Sequence, residues 1–458
     1  MNIDELQQKL FEIDSAVLQN FVLDLYQRFP ELSDAIETLV LFNDPSALKK
    51  AIAKRIQSLK RGRKFIDWRA SAEFARNLDS IVTDIESGLL YASPKHAFEL
   101  MDKFLATADS VMNRVDDSSG EIGGIYSSAV LLWLTAAKAW ADPKIDWLER
   151  VYQLDQSNDY GVLDPVLPNS HIILGQDQLK QLADRYEAEY HQAIKTQDPD
   201  DDYNWNARKA CVALGCVAEA LKDPGLYEHS VLIDSPDPND LQKQSIVATY
   251  IKFNQLDGAL RWLNTDWESR FELDRLGQLE QVYELSGDKE KLCDTRRQIY
   301  QQNRSYSSFE RYLETLNKDE QVAARQTAIS QAEQGGDVIT SADMLLQLGE
   351  AERAQQLIVS RYHDLEESYY VRLGSLVKAC EKEGCLLAAT ACYRALLLDI
   401  LNRGYSKAYT HAARYFKKLD AMAGEINDFE PLIAHIAFLN QLESEHGRKR
   451  SFWDRVQK

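Results

Sequence analysis

The chain has 458 residues, 45% of them hydrophobic and 27% charged, with a formal net charge of −19. That balance supplies material for a sizeable core and excludes a disordered chain. Residues 1–150 carry 18 basic against 23 acidic side chains and the remainder 35 against 49. Both parts are acidic, which disfavours non-specific adhesion to nucleic acid or to an anionic membrane.

The opening MNIDELQQKLFEIDSAVLQN has no basic stretch followed by an apolar core, the pattern of a secretory leader. Leu18, Phe21, Val22, Leu25 and Tyr26 then fall at helical spacing, and Pro30 is the expected stop. Asn43-Asp44-Pro45 is a start signal, a capping side chain followed by proline in the first turn. Further long helices are expected from Trp68 to Leu90, from Pro94 to Val115 and from Ile122 to Ala141, the last apolar enough to be central and buried. The longest apolar run, Ala129 to Ala137 with Thr135 inside it, is far short of the roughly 20 residues that a membrane span needs. Polar, proline-bearing stretches at 154–174, 197–204 and 223–240 read as loops, and the first is long enough to mark a domain boundary.

The second half of the chain carries a repeat. Residues able to adopt a left-handed helix cap recur at Asn254, Gly287, Asn317, Gly349 and Gly384, spaced by 33, 30, 32 and 35 residues. Tyr250, Tyr283, Leu313, Leu345 and Cys380 stand four residues before them, and Ala259, Leu292, Val322, Ala354 and Ala389 five residues after. The period is near that of tetratricopeptide arrays, in which each helical hairpin buries its apolar face only by stacking on its neighbours. The alternative is an irregular bundle whose turns happen to recur.

Four stretches carry a family likeness: Leu23-Asp24-Leu25-Tyr26-Gln27-Arg28-Phe29-Pro30-Glu31-Leu32, Asp116-Asp117-Ser118-Ser119-Gly120-Glu121-Ile122-Gly123, Lys407-Ala408-Tyr409-Thr410-His411-Ala412-Ala413-Arg414-Tyr415 and His446-Gly447-Arg448-Lys449-Arg450-Ser451-Phe452-Trp453. They resemble a bacterial family classed as a domain of unknown function, and similar helical sequence occurs beside the zinc finger of SWIM-type proteins. The resemblance implies a bacterial cytosolic helical protein and no established activity. The CxC…CxH ligands of a SWIM finger are missing here, so that finger's zinc or nucleic-acid role is not carried over.

The strongest charge feature spans 45–66, where Lys49, Lys50, Lys54, Arg55, Lys60, Arg61, Arg63 and Lys64 occur with no acidic residue. Leu48, Ile52, Ile56 and Leu59 form the apolar stripe, so the cations cover the outer face of a helix and its exit. Phe65 and Trp68 follow, aromatics able to stack on bases or on a partner. The cluster either engages phosphates or an acidic protein, or pairs with the chain's own carboxylates. A second basic cluster, Arg448, Lys449, Arg450, Arg455 and Lys458, encloses Phe452 and Trp453, which either dock back onto the last helices or anchor a partner.

Asp116, Asp117 and Glu121 would interest a divalent cation, but their spacing is not that of an EF-hand; Ser118 or Ser119 capping a helix, with Glu121 at its positive end, is the simpler account. Trp133, Trp140 and Trp147 recur every seven residues as a core stripe or a ligand box. No histidine forms HExxH, although His411 and His435 lie on successive helices; there is no GxSxG elbow, Walker loop or GxGxxG after a strand. Six cysteines without CxxC or CxC spacing fit a reducing compartment.

The expectation is therefore an all-α, cytoplasmic protein: a helical N-terminal domain over 1–155, a linker over 156–174, a tetratricopeptide-like α-solenoid over 175–445 and a basic aromatic tail over 446–458. It is expected to be non-enzymatic, without cofactor or metal, and to hold another protein. Association with nucleic acid through the 49–64 helix and the tail is the alternative, and no membrane is involved.

Overall fold

A computed structural model describes residues 2–29, 32–197, 203–365 and 370–457. Pro30, Glu31, most of the acidic turn at 197–204 and Lys458 thus lie outside the described residues. Among those described there are twenty-five α-helices and no strand, only an isolated parallel bridge between Ile66 and Val115. The protein is all-α. Its contacts divide it into two units, Met1–Trp262 and Leu263–Lys458.

The first unit runs through α1 (Ile3–Phe11), α2 (Ser15–Arg28), α3 (Ser33–Val40), α4 (Pro45–Arg61), α5 (Trp68–Leu89), α6 (Pro94–Leu105), α7 (Ala108–Met112), α8 (Glu121–Trp140), α9 (Trp147–Gln156), α10 (Gln176–Lys195), α11 (Trp205–Leu221), α12 (Pro224–Leu232), α13 (Asp240–Lys252) and α14 (Leu256–Leu263), whose last residue crosses the division. The Asp44 carboxylate accepts from the Ser46 and Ala47 amides and Pro45 occupies the first turn, as the start signal requires. Helices α4, α5 and α6 pack on one another, and α8 packs on α5 and α6. Phe98 sits 5.2, 5.4 and 5.2 Å from the rings of Trp133, Trp140 and Trp147, so the tryptophan stripe is a core contact. Among the described residues α8 alone is long and apolar enough to cross a membrane; half of it is buried in this unit.

Three expectations need correction. The helix expected from Pro94 to Val115 breaks at Ala106-Thr107, where the Thr107 hydroxyl, buried, donates to the Phe104 carbonyl or pairs with the Tyr126 hydroxyl at 2.7 Å. The stretch 156–174 is no linker: Val162, Leu163, Val166, Leu167 and Leu174 join the same core as the helices on either side, with its polar chain held in two 3₁₀ turns. The division between units falls later, after Trp262. Finally, Pro224 opens a helix instead of a loop, because Asp223 caps the Leu226 amide at 3.0 Å and a proline in the first turn loses no hydrogen bond.

The second unit comprises α15 (Glu272–Ser286), α16 (Lys289–Asn303), α17 (Tyr306–Leu313), α18 (Lys318–Glu333), α19 (Val338–Gln347), α20 (Ala351–Ser360), α21 (Tyr370–Lys382), α22 (Leu386–Arg403), α23 (Tyr409–Ala423), α24 (His435–His446) and α25 (Arg450–Val456). Neighbours pack in sequence, α15 on α16, α16 on α17, α18 on α19, α19 on α20, α21 on α22, α22 on α23. Alternate helices also touch, α17 on α19, α19 on α21 and α20 on α22.

Four of the five expected caps are left-handed: Asn254, Gly287, Gly349 and Gly384 have φ of 56°, 73°, 83° and 72°. In each, the amide one residue later reaches back to the carbonyl of the apolar column, Gln255 to Tyr250, Asp288 to Tyr283, Glu350 to Leu345 and Cys385 to Cys380, at 2.8 to 3.1 Å. Lys222 makes the same turn with φ 57°, Asp223 donating to the Ala218 carbonyl at 3.0 Å. Asn317 is the exception. Its side chain accepts from the Asp319 and Glu320 amides and begins α18 instead of ending α17. Val322 is accordingly 62% exposed, while Ala259, Ala354 and Ala389 are fully buried.

Beside Ala259, the start of α14 approaches α13 closely at Gly258. A Cβ on Gly258 would fall within the Tyr250 ring, and that ring is held by its hydroxyl, which donates to Glu228. Gly258→Ala is expected to lower stability by about 1–3 kcal/mol through overpacking, read as a shift in urea midpoint at unchanged slope. An unshifted midpoint would mean that the α13–α14 approach has slack.

Candidate functional site

Helix α4 turns Leu48, Ile52, Ile56 and Leu59 inward and its cations outward. Lys49 and Arg55 are consumed internally, Lys49 by Glu99, and Arg55 by Asp84 and by the Ser80 hydroxyl at 2.6 Å. Burial pushes the Glu99 carboxyl up, but Lys49, Lys95 and His96 together hold it below its ordinary value. At Asp84 burial wins over Arg55 and the carboxyl rises. Lys50, Lys54, Lys60, Arg61, Arg63 and Lys64 are exposed, and among the described residues none has an ion-pair partner.

Lys50, Lys54 and Lys60 line a groove of about 560 Å³ with Lys103 of α6, floored by Ala53, Ile56, Ala106 and Thr107. Among the described residues no carboxylate lines it. Lysine stems cover apolar surface while their ammonium groups stay in water, so the groove combines an apolar bed with four separate positive charges. Lys103 gave no sequence signal, since it lies some forty residues beyond the basic run and only the contact of α4 with α6 brings it in.

The exit of α4 is rigidly tied. Ile66 donates to the Arg114 carbonyl and Asp116 donates back to Ile66, both at 2.9 Å. The Arg114 guanidinium caps the Leu59 carbonyl at 3.2 Å, reaches the Lys64 carbonyl at 3.4 Å and lies over the Phe74 ring. Arg63 and Lys64 are thereby presented on an anchored backbone, next to Phe65 and Trp68, which are 61% and 63% exposed. Arg69 stacks on Trp68 with 4.9 Å to the ring centre.

The tail divides differently. Phe452 is fully buried and Trp453 half-buried, both against Phe416, with Tyr409 also facing Phe452. The Trp453 indole donates to the His446 carbonyl at 3.1 Å. These aromatics dock back and are not free to anchor a partner, which leaves Arg448 and Arg450 exposed and Lys449 half-buried.

The residues at 116–121 serve capping: the Ser119 hydroxyl accepts from the Glu121 amide at 3.4 Å, and Asp117 accepts from the Ile122 and Gly123 amides at 2.9 and 2.8 Å. No group of three metal-ligating side chains occurs among the described residues. His411 faces Arg414 and His435 faces Asp420, so the two histidines serve separate contacts.

An all-helical protein with a cationic groove is the class these features define. Over residues 38–455 the chain matches the family of unknown function DUF6880 and belongs to it. The match begins after α1 and α2. No curated protein matches the chain.

Proposed function

We propose that this protein is a non-enzymatic scaffold that holds another protein, and that an acidic segment of the partner lies along α4. The observation that carries this reading is the convergence of Lys50, Lys54, Lys60 and Lys103 on one apolar-floored groove with no carboxylate among its lining residues, in a chain of net charge −19. Uncompensated like charges on an otherwise acidic surface have their use when a complementary anion arrives. A tetratricopeptide-like stacking of hairpins in the second unit belongs to the same reading, supported by the shared cap geometry and by the contacts between alternate helices. So does a cytoplasmic setting, which six free thiols suit. A bacterial origin, and the likeness to helical sequence beside SWIM fingers, fit a part that works next to other modules.

Affinity purification from the native cell, comparing the natural chain with Lys50→Glu/Lys54→Glu/Lys103→Glu, tests it. A partner captured by the first and lost by the second is expected, with unchanged helical circular dichroism. A partner that the triple variant retains, or no partner at all, counts against the groove.

A second reading, single-stranded nucleic acid, is favoured by exposed Phe65 and Trp68 beside Arg63 and Lys64. It predicts oligonucleotide binding that weakens by roughly tenfold or more between about 50 and 200 mM salt. Lys60→Glu/Arg61→Glu/Arg63→Glu should abolish that binding; persistence at high salt would reject it.

A further inference from the structure

The stretch Lys407–Tyr415, one of those that carry the family likeness, has no part in the α4 groove. It forms the start of α23, and two cavities meet there. One, of about 410 Å³, is bounded by the rings of Tyr370, Tyr405 and Tyr415 over Leu396 and Ile400. The other, of about 460 Å³, is lined by Arg414, Lys417, Lys418 and Arg455 and has no carboxylate among its lining residues. Arg414 borders both. One turn of α23 therefore separates an aromatic chamber from a cationic one, with a guanidinium at the threshold.

The charges on this wall are not all satisfied within the protein. Lys418 pairs with Glu381 at 2.8 Å, and Arg455 is held by the Ser451 carbonyl and hydroxyl. Arg414 faces the His411 imidazole, 3.4 Å away, with the Tyr415 ring beneath it. Arg414 and Lys417 have no carboxylate partner among the described residues. Among the described residues that line the aromatic chamber the one acid is Asp399, which pairs with Arg403 four residues on.

We infer that this bipartite site binds a mononucleotide, its base among the tyrosines and its phosphate on Arg414 and Lys417. A planar heterocycle stacks on phenol rings whatever its identity, and a guanidinium takes phosphate oxygens in pairs. Asp399 and Arg403 offer an acceptor and donors at the chamber wall for base edges or sugar hydroxyls. The cavity volumes lie within the roughly 300–1,000 Å³ range of small-ligand sites. This inference is independent of the α4 groove, which lies in the other unit.

Isothermal titration of the full chain with AMP, GMP, CMP and UMP tests it, with adenosine, inorganic phosphate and phosphotyrosine as comparisons. At least one mononucleotide should bind, with the nucleoside and phosphate each weaker by roughly tenfold or more, because each fills only half the site. Arg414→Gln and Tyr405→Ala, both at exposed positions, should each weaken binding by a similar factor while leaving the thermal midpoint in place. No heat with any mononucleotide overturns the inference. So does phosphotyrosine binding as tightly as the nucleotide, or nucleotide binding that survives Arg414→Gln.

Discussion

Phe452→Ala is expected to release α25 from α23 and to cost about 3–5 kcal/mol, the range for deleting a fully buried phenyl ring. Phe452 has no exposed surface, faces Tyr409 and Phe416 edge-on at 6.2 and 6.3 Å, and touches Trp453 at 5.0 Å. The helix it belongs to has seven residues, too few to persist undocked. Loss of the ring should therefore be felt first as local opening, with the global cost limited to what the docked helix contributes. Hydrogen exchange over residues 450–456 should rise to the unprotected rate, and the urea midpoint should fall. Protection that survives the substitution would mean that Trp453, with its bond to the His446 carbonyl, holds the helix alone.

A loss of similar size is expected at the centre of α15–α17. Glu280 is 5% and Arg296 7% exposed. Glu280 accepts from Arg296 Nε at 2.8 Å and from Arg311 Nη1 at 2.7 Å, and Arg296 Nη1 also donates to the Arg311 carbonyl and to Glu314. One carboxylate thus ties three consecutive helices. Removing it leaves a buried guanidinium without its main counter-charge, so Glu280→Ala should cost about 3–5 kcal/mol. The double variant Glu280→Leu/Arg296→Met should recover most of that, because two well-packed apolar side chains need no partner. A denaturant double-mutant cycle reads both quantities. If the double variant is no more stable than Glu280→Ala, the ion network is needed for correct packing of α15 to α17 and not merely for charge balance.

These two losses contrast with the α4 lysines. The ammonium groups of Lys50, Lys54 and Lys60 are exposed and, among the described residues, without an ion pair, so reversing them should move stability by little while removing any anion from the groove. That separation is what makes the groove testable: binding and folding report on different side chains.

Much of the architecture was legible in local chemistry. Asp44-Pro45 announced α4, and the apolar stripe from Leu48 to Leu59 told which face of it turns inward. The recurring caps at Asn254, Gly287, Gly349 and Gly384 were visible because a left-handed turn favours glycine or asparagine. The same rule missed Lys222, which takes that conformation against its preference, and misread Asn317, since asparagine caps helix starts as readily as ends. Pro224 was overlooked for a related reason: a proline-rich stretch looks like a loop unless the aspartate before it is read as a cap.

By itself, then, the order of residues determined which segments coil, which face of each is apolar and where the positive charge accumulates, because these depend on neighbours within a turn or two. Tertiary packing alone decided that Lys103 joins Lys50, Lys54 and Lys60, that Phe452 turns inward, that 156–174 is core, and that Arg414 stands between an aromatic and a cationic cavity. Each of those depends on which helices come into contact, and contact between segments tens of residues apart is selected by the fit of whole faces, a property no short stretch of sequence contains.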